Sequence, residues 1–362
     1  MKVFFILFTL LLKICNAQNN VATTSAAFLE IGAGARSLAM GGAYVSVADD
    51  ANSLYWNPAG MANSVSPQIQ TYYTPWLVET QFYHGSSVVP IGEFGKIGFS
   101  YTAVTMDEMM VRTVEDPEPD EYGQKFDAGN LALGVAYAKK LTDRFSFGFQ
   151  MKFIQEKIWQ MQANGTAVDI GTLFKTSNDI NIGMSVSNFG GKLSMDGINT
   201  LIDHDIDETI YGNNDRIDGY LDAANWPLPL LFRFGLSKEF SLMNSAKVLV
   251  SIDAIHPNNN PEYVNVGTEL NIYDLLFLRF GKSHLFYRQK FIENNSEIYI
   301  NPEHGFSFGT GIKYQIPRGP KLSIDYVITD FGVFNSIYGY SINFSFRTFI
   351  FIHILPVILK KF

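Results

Sequence analysis

From about residue 68 to the end of the chain, apolar and small or polar side chains alternate one by one. Phe145, Phe147, Phe149, Met151 and Phe153 share one face of an extended backbone, and Ser146, Gly148, Gln150 and Lys152 share the other. Ile180, Ile182, Met184 and Val186 alternate with Asn181, Gly183, Ser185 and Ser187. Phe306, Phe308, Thr310, Ile312 and Tyr314 oppose Ser307, Gly309, Gly311 and Lys313, and the pattern returns from Tyr338 to Phe346. A period of two places successive side chains on opposite faces of a strand, so these segments cannot be amphipathic helices. Each one has an apolar, aromatic face and a face of small or polar residues.

Fourteen such strands are expected, near 67–75, 79–90, 94–105, 124–141, 144–159, 164–176, 179–189, 228–240, 245–256, 262–272, 275–286, 304–316, 321–330 and 336–347. Short turns at Gly92-Glu93, Thr142-Asp143, Ser177-Asn178, Leu242-Met243, Tyr273-Asp274 and Arg318-Gly319 interleave with longer links, notably 106–123, 190–227 and 287–303. The links at 76–78 and 160–163 are brief. An even strand number, with short turns at one end and long loops at the other, is the pattern of a transmembrane antiparallel β-barrel. If the apolar face pointed inward, a lumen of this size would be too wide for side chains to fill. Facing lipid, the same residues need no complementary packing. Two soluble seven-stranded sandwiches are the alternative, although no linker divides the strands in half.

Residues 1–17 read as a signal peptide, with Lys2 as the charged start, Val3 to Leu12 as the apolar core and Cys15-Asn16-Ala17 before the cleavage point. The bulky Ile14 argues against lipidation of Cys15, so cleavage removes the only cysteine and with it any disulfide or thiolate metal site. After the leader no apolar run reaches the roughly 20 residues of a membrane-spanning helix, so a membrane span must be made of strands. Aromatic residues are abundant, 14% of the chain, as the lipid-facing girdles of a barrel require. The net charge of -8 and the lack of a basic stripe exclude a nucleic-acid surface.

Between leader and strands lies Ile31 to Ala62, IGAGARSLAMGGAYVSVADDANSLYWNPAGMA. Glycines 32, 34, 41, 42 and 60, interspersed with alanines, allow close backbone approach, and Asn57-Pro58-Ala59-Gly60 is a turn signal. That composition suits a compact plug inside a larger structure. The segment GARSLAMGGAYVSVADDANSLYWNPAGMA resembles the N-terminal signature of the PorV/PorQ family of outer-membrane proteins, itself similar to the FadL family of hydrophobic-compound transporters. DHDIDETIYGN, WPLPLLFRFGLSKEF and SIDAIHPNNNPEYVNVGTEL continue the likeness. The resemblance implies a bacterial outer-membrane location, with residues 18–64 as a hatch within a barrel of residues 65–347 and 348–362 as an apolar tail.

Arg36 is the notable charge of the hatch, and a cation in a lumen requires a carboxylate. Asp49 and Asp50 are local candidates, and Asp253, Glu269 and Asp325 fall on polar faces of strands. Arg36 then either pins the hatch or forms a gate with Asp49, Asp50 and the Asn57-Pro58 turn. The 190–226 loop is rich in acids, and Asp203, Asp205 and Asp207 at alternate positions suggest a cation-binding loop in which hard oxygen ligands suit Ca2+. Glu208 and Asn214 occupy the positions where an EF-hand needs Gly and Glu, so any calcium site is irregular. A solvated acidic loop is the plainer alternative. No other cofactor is expected.

Enzyme signals are poor. Gly305-Phe306-Ser307-Phe308-Gly309 matches G-x-S-x-G but lies within an alternating strand, without the strand-turn-helix context of a nucleophile elbow. Gly281-Lys282-Ser283 lacks the earlier glycine of a phosphate loop, and the six histidines show no metal spacing. The PorV/PorQ resemblance implies a non-catalytic accessory of type IX secretion that binds the translocon or the C-terminal signal domain of secreted cargo. The FadL likeness implies, alternatively, a channel for fatty acids or other hydrophobic compounds. Either partner set includes outer-membrane lipid.

Overall fold

The computed structural model describes residues 23–346 apart from 206–208, 210–216, 244, 288, 294–295 and 301–304. The expected leader and the tail beyond 347 lie outside the described residues. Fourteen antiparallel strands form a closed barrel. They are β1 (Gln68–Pro75), β2 (Gln81–Pro90), β3 (Lys96–Thr105), β4 (Ala128–Lys140), β5 (Phe145–Ile158), β6 (Met161–Lys175) and β7 (Ile180–Gly190). The second half comprises β8 (Leu231–Met243), β9 (Ala246–Pro257), β10 (Tyr263–Ile272), β11 (Leu276–Leu285), β12 (Phe306–Gln315), β13 (Lys321–Asp330) and β14 (Ser336–Ser345). Each strand pairs with its sequence neighbour, and closure comes from β1 on β14, in register from Gln68 opposite Ser345 to Tyr73 opposite Tyr340.

The apolar face points outward. Met151, Phe308, Ile312 and Tyr340 are half exposed or more (60%, 51%, 56% and 50%), whereas Gln150, Ser185, Ser307 and Ser341 are buried. That orientation leaves backbone groups paired between strands and apolar side chains against lipid, which a membrane-spanning strand requires.

The strands differ from expectation only at their ends. β4 begins at Ala128 rather than 124 because Lys125–Phe126 pairs instead with Met109–Met110, making a small ribbon within the outer link. β5 and β6 are joined through Trp159-Gln160 alone, so β6 starts at Met161 rather than 164. The loop after β7 is likewise structured. Lys192–Leu193 pairs with Trp226–Pro227 as a stem, and Leu201–His204 pairs with Ile217–Tyr220 further out.

Residues 26–64 fill the lumen. They form short 3-10 turns at Ala27–Glu30 and Pro58–Asn63, and two short helices, α1 (Ala35–Ala39) and α2 (Ser53–Trp56). Helix α1 lies against β11 to β14, and the Pro58–Asn63 turn lies against β3 to β6, so the segment bridges opposite walls. Its carbonyls are satisfied from within: Asn52 Nδ2 and Trp56 Nε1 both donate to Ala33 O, at 2.7 and 2.8 Å, and Tyr55 Oη donates to Leu29 O at 2.7 Å. A buried irregular segment needs such partners, since an unpaired buried carbonyl costs on the order of 1–3 kcal/mol.

The wall receives this plug through missing side chains. A methyl group on Gly281 of β11 would run into the backbone of Met40 and Gly41, and one on Gly183 of β7 would meet Val45 and Ser46. Gly85 of β2, by contrast, has open space where a Cβ would lie. Overpacking of a rigid contact costs roughly 1–3 kcal/mol. Gly281→Ala should therefore lower the temperature at which the purified barrel loses its compact form on heated electrophoresis, and Gly85→Ala should not. Equal behaviour of the two variants would show that the plug does not rest on the wall as described.

Candidate functional site

The plug is fastened to the wall by a chain of opposite charges. Arg36, in α1, donates from Nε and Nη2 to the Glu269 carboxylate on β10 at 2.8 and 3.0 Å. Its Nη1 reaches Asp49 Oδ1 at 2.6 Å and lies 3.6 Å from Asp50 Oδ2. Glu269 also accepts from Arg279 Nε of β11 at 2.6 Å, and Arg279 Nη1 donates to Asp325 Oδ1 of β13 at 2.7 Å. Tyr44 Oη completes the plug side by donating to Asp50 Oδ2 at 2.8 Å. Burial opposes the charge on Arg36, but Asp49 and Glu269 outweigh it and hold the guanidinium well above its ordinary pKa. Burial pushes the Asp50 carboxyl up, against the pull of Arg36.

Of the carboxylates weighed for Arg36, the structure brings Asp49, Asp50 and Glu269 to it directly and Asp325 through Arg279. Asp253 has another role, accepting from the Val45 N–H at 2.8 Å. Asn57 ties the plug to itself and to the wall: its Nδ2 donates to Val45 O at 2.8 Å and to Thr172 O of β6 at 3.1 Å, while its Oδ1 accepts from Ala59 N at 3.1 Å. Pro58 follows as the first residue of the 3-10 turn, where its missing N–H costs nothing. Asp203 and Asp205 lie in the outer loop far from this network, and Asp207 lies outside the described residues. Ser307, the serine of the G-x-S-x-G match, is buried near the start of β12 and donates to Thr329 Oγ1 at 3.2 Å. Lys282 likewise belongs to β11, with no loop around it.

Parity along the strands marks three further inward charges, of which only Lys152 is placed on its face from the sequence. Lys152, Arg233 and Arg279 each stand on the small, inward face of an alternating strand. Lys152 pairs with Asp169 at 2.9 Å and also donates to Asn188, which lies at a bulge where the β6–β7 register shifts. Arg233 on β8 is 5% exposed, donates to Ser187 Oγ at 3.0 Å and stacks 5.3 Å from the Trp56 ring. Among the described residues no carboxylate lies in ion-pair range of it.

The plug separates two cavities. At the short-turn end a polar cavity of about 290 Å3 is lined by Arg36, Asp49, Arg279, Lys313 and Lys321. At the long-loop end a cavity of about 320 Å3 lies between plug and wall, lined by Ile31, Leu38, Trp56, Trp76, Tyr263 and Phe331, with Arg233, Glu30 and Asp330 as its charged groups. Burial pushes the Glu30 carboxyl up, while a hydrogen bond from Asn259 and the charge of Arg233 oppose the shift.

Residues 14–199 match the family described as Type IX secretion system protein PorV, just over half of the 362-residue chain. The chain belongs to the PorV family. The Pseudomonas putida toluene transporter TodX has the same fold, with a TM-score of 0.51 at 13% identity over 86% of this chain and 96% of its own. The Ralstonia pickettii toluene transporter TbuX gives 0.52 at 11% identity over 88% and 98%. A Pseudomonas aeruginosa FadL homologue gives 0.50 at 11% identity over 91% and 100%. Identities this low speak for the fold alone. No curated protein matches the sequence. This PorV-family chain is a bacterial outer-membrane barrel, and its short turns therefore face the periplasm and its long loops the cell exterior.

Arg36→Gln leaves Asp49 and Asp50 without their cation and Glu269 with one arginine instead of two. Removing one partner of a buried ion pair costs about 3–5 kcal/mol, and the Arg36 side chain retains 17% exposure, so a loss near about 3 kcal/mol is expected. Urea unfolding in detergent followed by tryptophan fluorescence reads it, because Trp56 reports on the plug. Conductance in planar bilayers should rise as the plug loosens; an unchanged urea midpoint and a silent bilayer would remove Arg36 from the role of pin.

Proposed function

We propose that this barrel serves type IX secretion as a non-catalytic outer-membrane component that holds the translocon or the C-terminal signal domain of secreted cargo. The family match over residues 14–199 carries the reading. The filled lumen supports it in physical terms: a plug packed against wall glycines and fastened by six charged side chains leaves no route for a polypeptide, so work on a large partner falls to the outer loops. Such loops on a rigid scaffold are common places for binding residues.

Deleting the gene should leave proteins bearing the C-terminal signal domain in the periplasm, and a tagged copy extracted in mild detergent should bring down the translocon or such cargo. An unaltered set of secreted proteins in the deletion strain would rule the reading out.

A second reading, uptake of fatty acids or similar hydrophobic compounds, is favoured by the outer cavity with its apolar lining and its guanidinium at Arg233. Here the purified protein should bind a fluorescent fatty acid, and Arg233→Met should weaken binding by roughly tenfold or more, since a hydrogen bond to a charged group contributes about 1.5–3 kcal/mol. Absence of binding to the unmodified protein would dispose of uptake.

A further inference from the structure

The outer lobe carries a ribbon whose two faces are chemically distinct. In the pairing of Leu201–His204 with Ile217–Tyr220, Leu201 stands opposite Tyr220 and Asp203 opposite Asp218. The period of two puts these four side chains on one face. All of Leu201–His204 is exposed, as are Asp218 and Tyr220, the last at 71%.

Two features of that face are unfavourable in water. Like charges directly opposite each other destabilise a strand pair, and among the described residues neither Asp203 nor Asp218 has an ion-pair partner. An aromatic and an aliphatic side chain beside them lose by exposure what burial would contribute. One kind of occupant relieves both costs: a segment that sets lysine or arginine against the two carboxylates and an apolar side chain against Leu201 and Tyr220. A divalent cation would relieve only the first, and among the described residues no third carboxylate or histidine joins the pair to hold one.

We propose that the Leu201–His204/Ile217–Tyr220 ribbon is the docking face for a partner protein, recognised by a basic segment carrying an apolar anchor. The inference rests on the secretion reading in that it names the surface and partner chemistry of that same exterior binding. Electrostatic steering by the acidic loops brings such a partner in, and the apolar contact retains it.

The test places a photo-crosslinking phenylalanine analogue at Leu201, and separately at Tyr220, in cells expressing the full chain. The expected result is a protein adduct whose crosslinked peptide contains Lys or Arg. Its yield should fall at least roughly fivefold in an Asp203→Lys/Asp218→Lys background, fall as ionic strength rises, and stay level when EDTA is added. Asp120→Lys/Glu121→Lys, in the other acidic link, controls for general surface charge and should change little. Adducts to lipopolysaccharide alone, no protein adduct at either position, or a yield indifferent to the charge reversal would each overturn the docking face, and loss with EDTA would replace it with a metal site. If the adduct forms but the partner is neither translocon nor cargo, the ribbon inference stands and the secretion reading fails. If gene deletion blocks secretion while the ribbon captures nothing, the reverse holds.

Discussion

The backbone ladder between β1 and β14 is the contact on which everything else depends. In hydrocarbon an unpaired N–H or C=O has no water to turn to, so strands in a membrane must close on themselves. Once Gln68 to Tyr73 meets Ser345 to Tyr340, the wall has no free edge and its outward side chains face lipid. Closure at fourteen strands also sets a lumen wider than inward side chains can fill. The structure answers that excess with a separate segment of backbone, and the wall accommodates it with glycine where the two backbones meet.

Inside this frame, charge adds to the apolar contacts between plug and wall, such as Leu54 and Met61 with Val88 and Ala136. Arg36, Glu269, Arg279 and Asp325 alternate in sign from the plug across β10, β11 and β13. Taking such groups out of water is costly unless each has its complement, and removing any one exposes the others to that cost. The network therefore couples plug and wall: a shift of α1 separates Arg36 from Glu269 and leaves the carboxylate with Arg279 alone. It lines the periplasmic cavity, whereas the aromatic cavity with Arg233 lies toward the exterior. The plug thus presents a polar, ion-paired face to one compartment and an apolar, partly open one to the other.

The strands were legible because their signal is local: a residue's neighbours at two positions away decide its face, with no knowledge of the rest of the chain. Strand ends were less legible, since they depend on partners. Lys125-Phe126 continues the alternation toward β4, yet pairs with Met109-Met110. The carboxylates near Arg36 could be named from charge and parity, but Asp253 satisfies the same criteria and binds Val45 N–H instead. Arg233 carried the same parity signal as Lys152, and only its surroundings, Ser187 and Trp56 without a carboxylate, distinguish it.

Period-two patterning, the even strand number and the alternation of short and long links pointed to an antiparallel barrel over a pair of sandwiches, because lipid imposes one simple rule on every spanning strand; the pairing of β1 with β14 decided it. The glycine- and alanine-rich stretch before the first strand likewise announced a segment meant for close backbone contact. Tertiary structure alone decided which glycine of the wall receives which residue of the plug, which carboxylates share Arg36, and that Leu201 and Tyr220 lie beside Asp203 and Asp218 on one face. Those pairings join residues distant in sequence, and their energies depend on separations of a few ångströms that exist only after the barrel has closed around its own N-terminal segment.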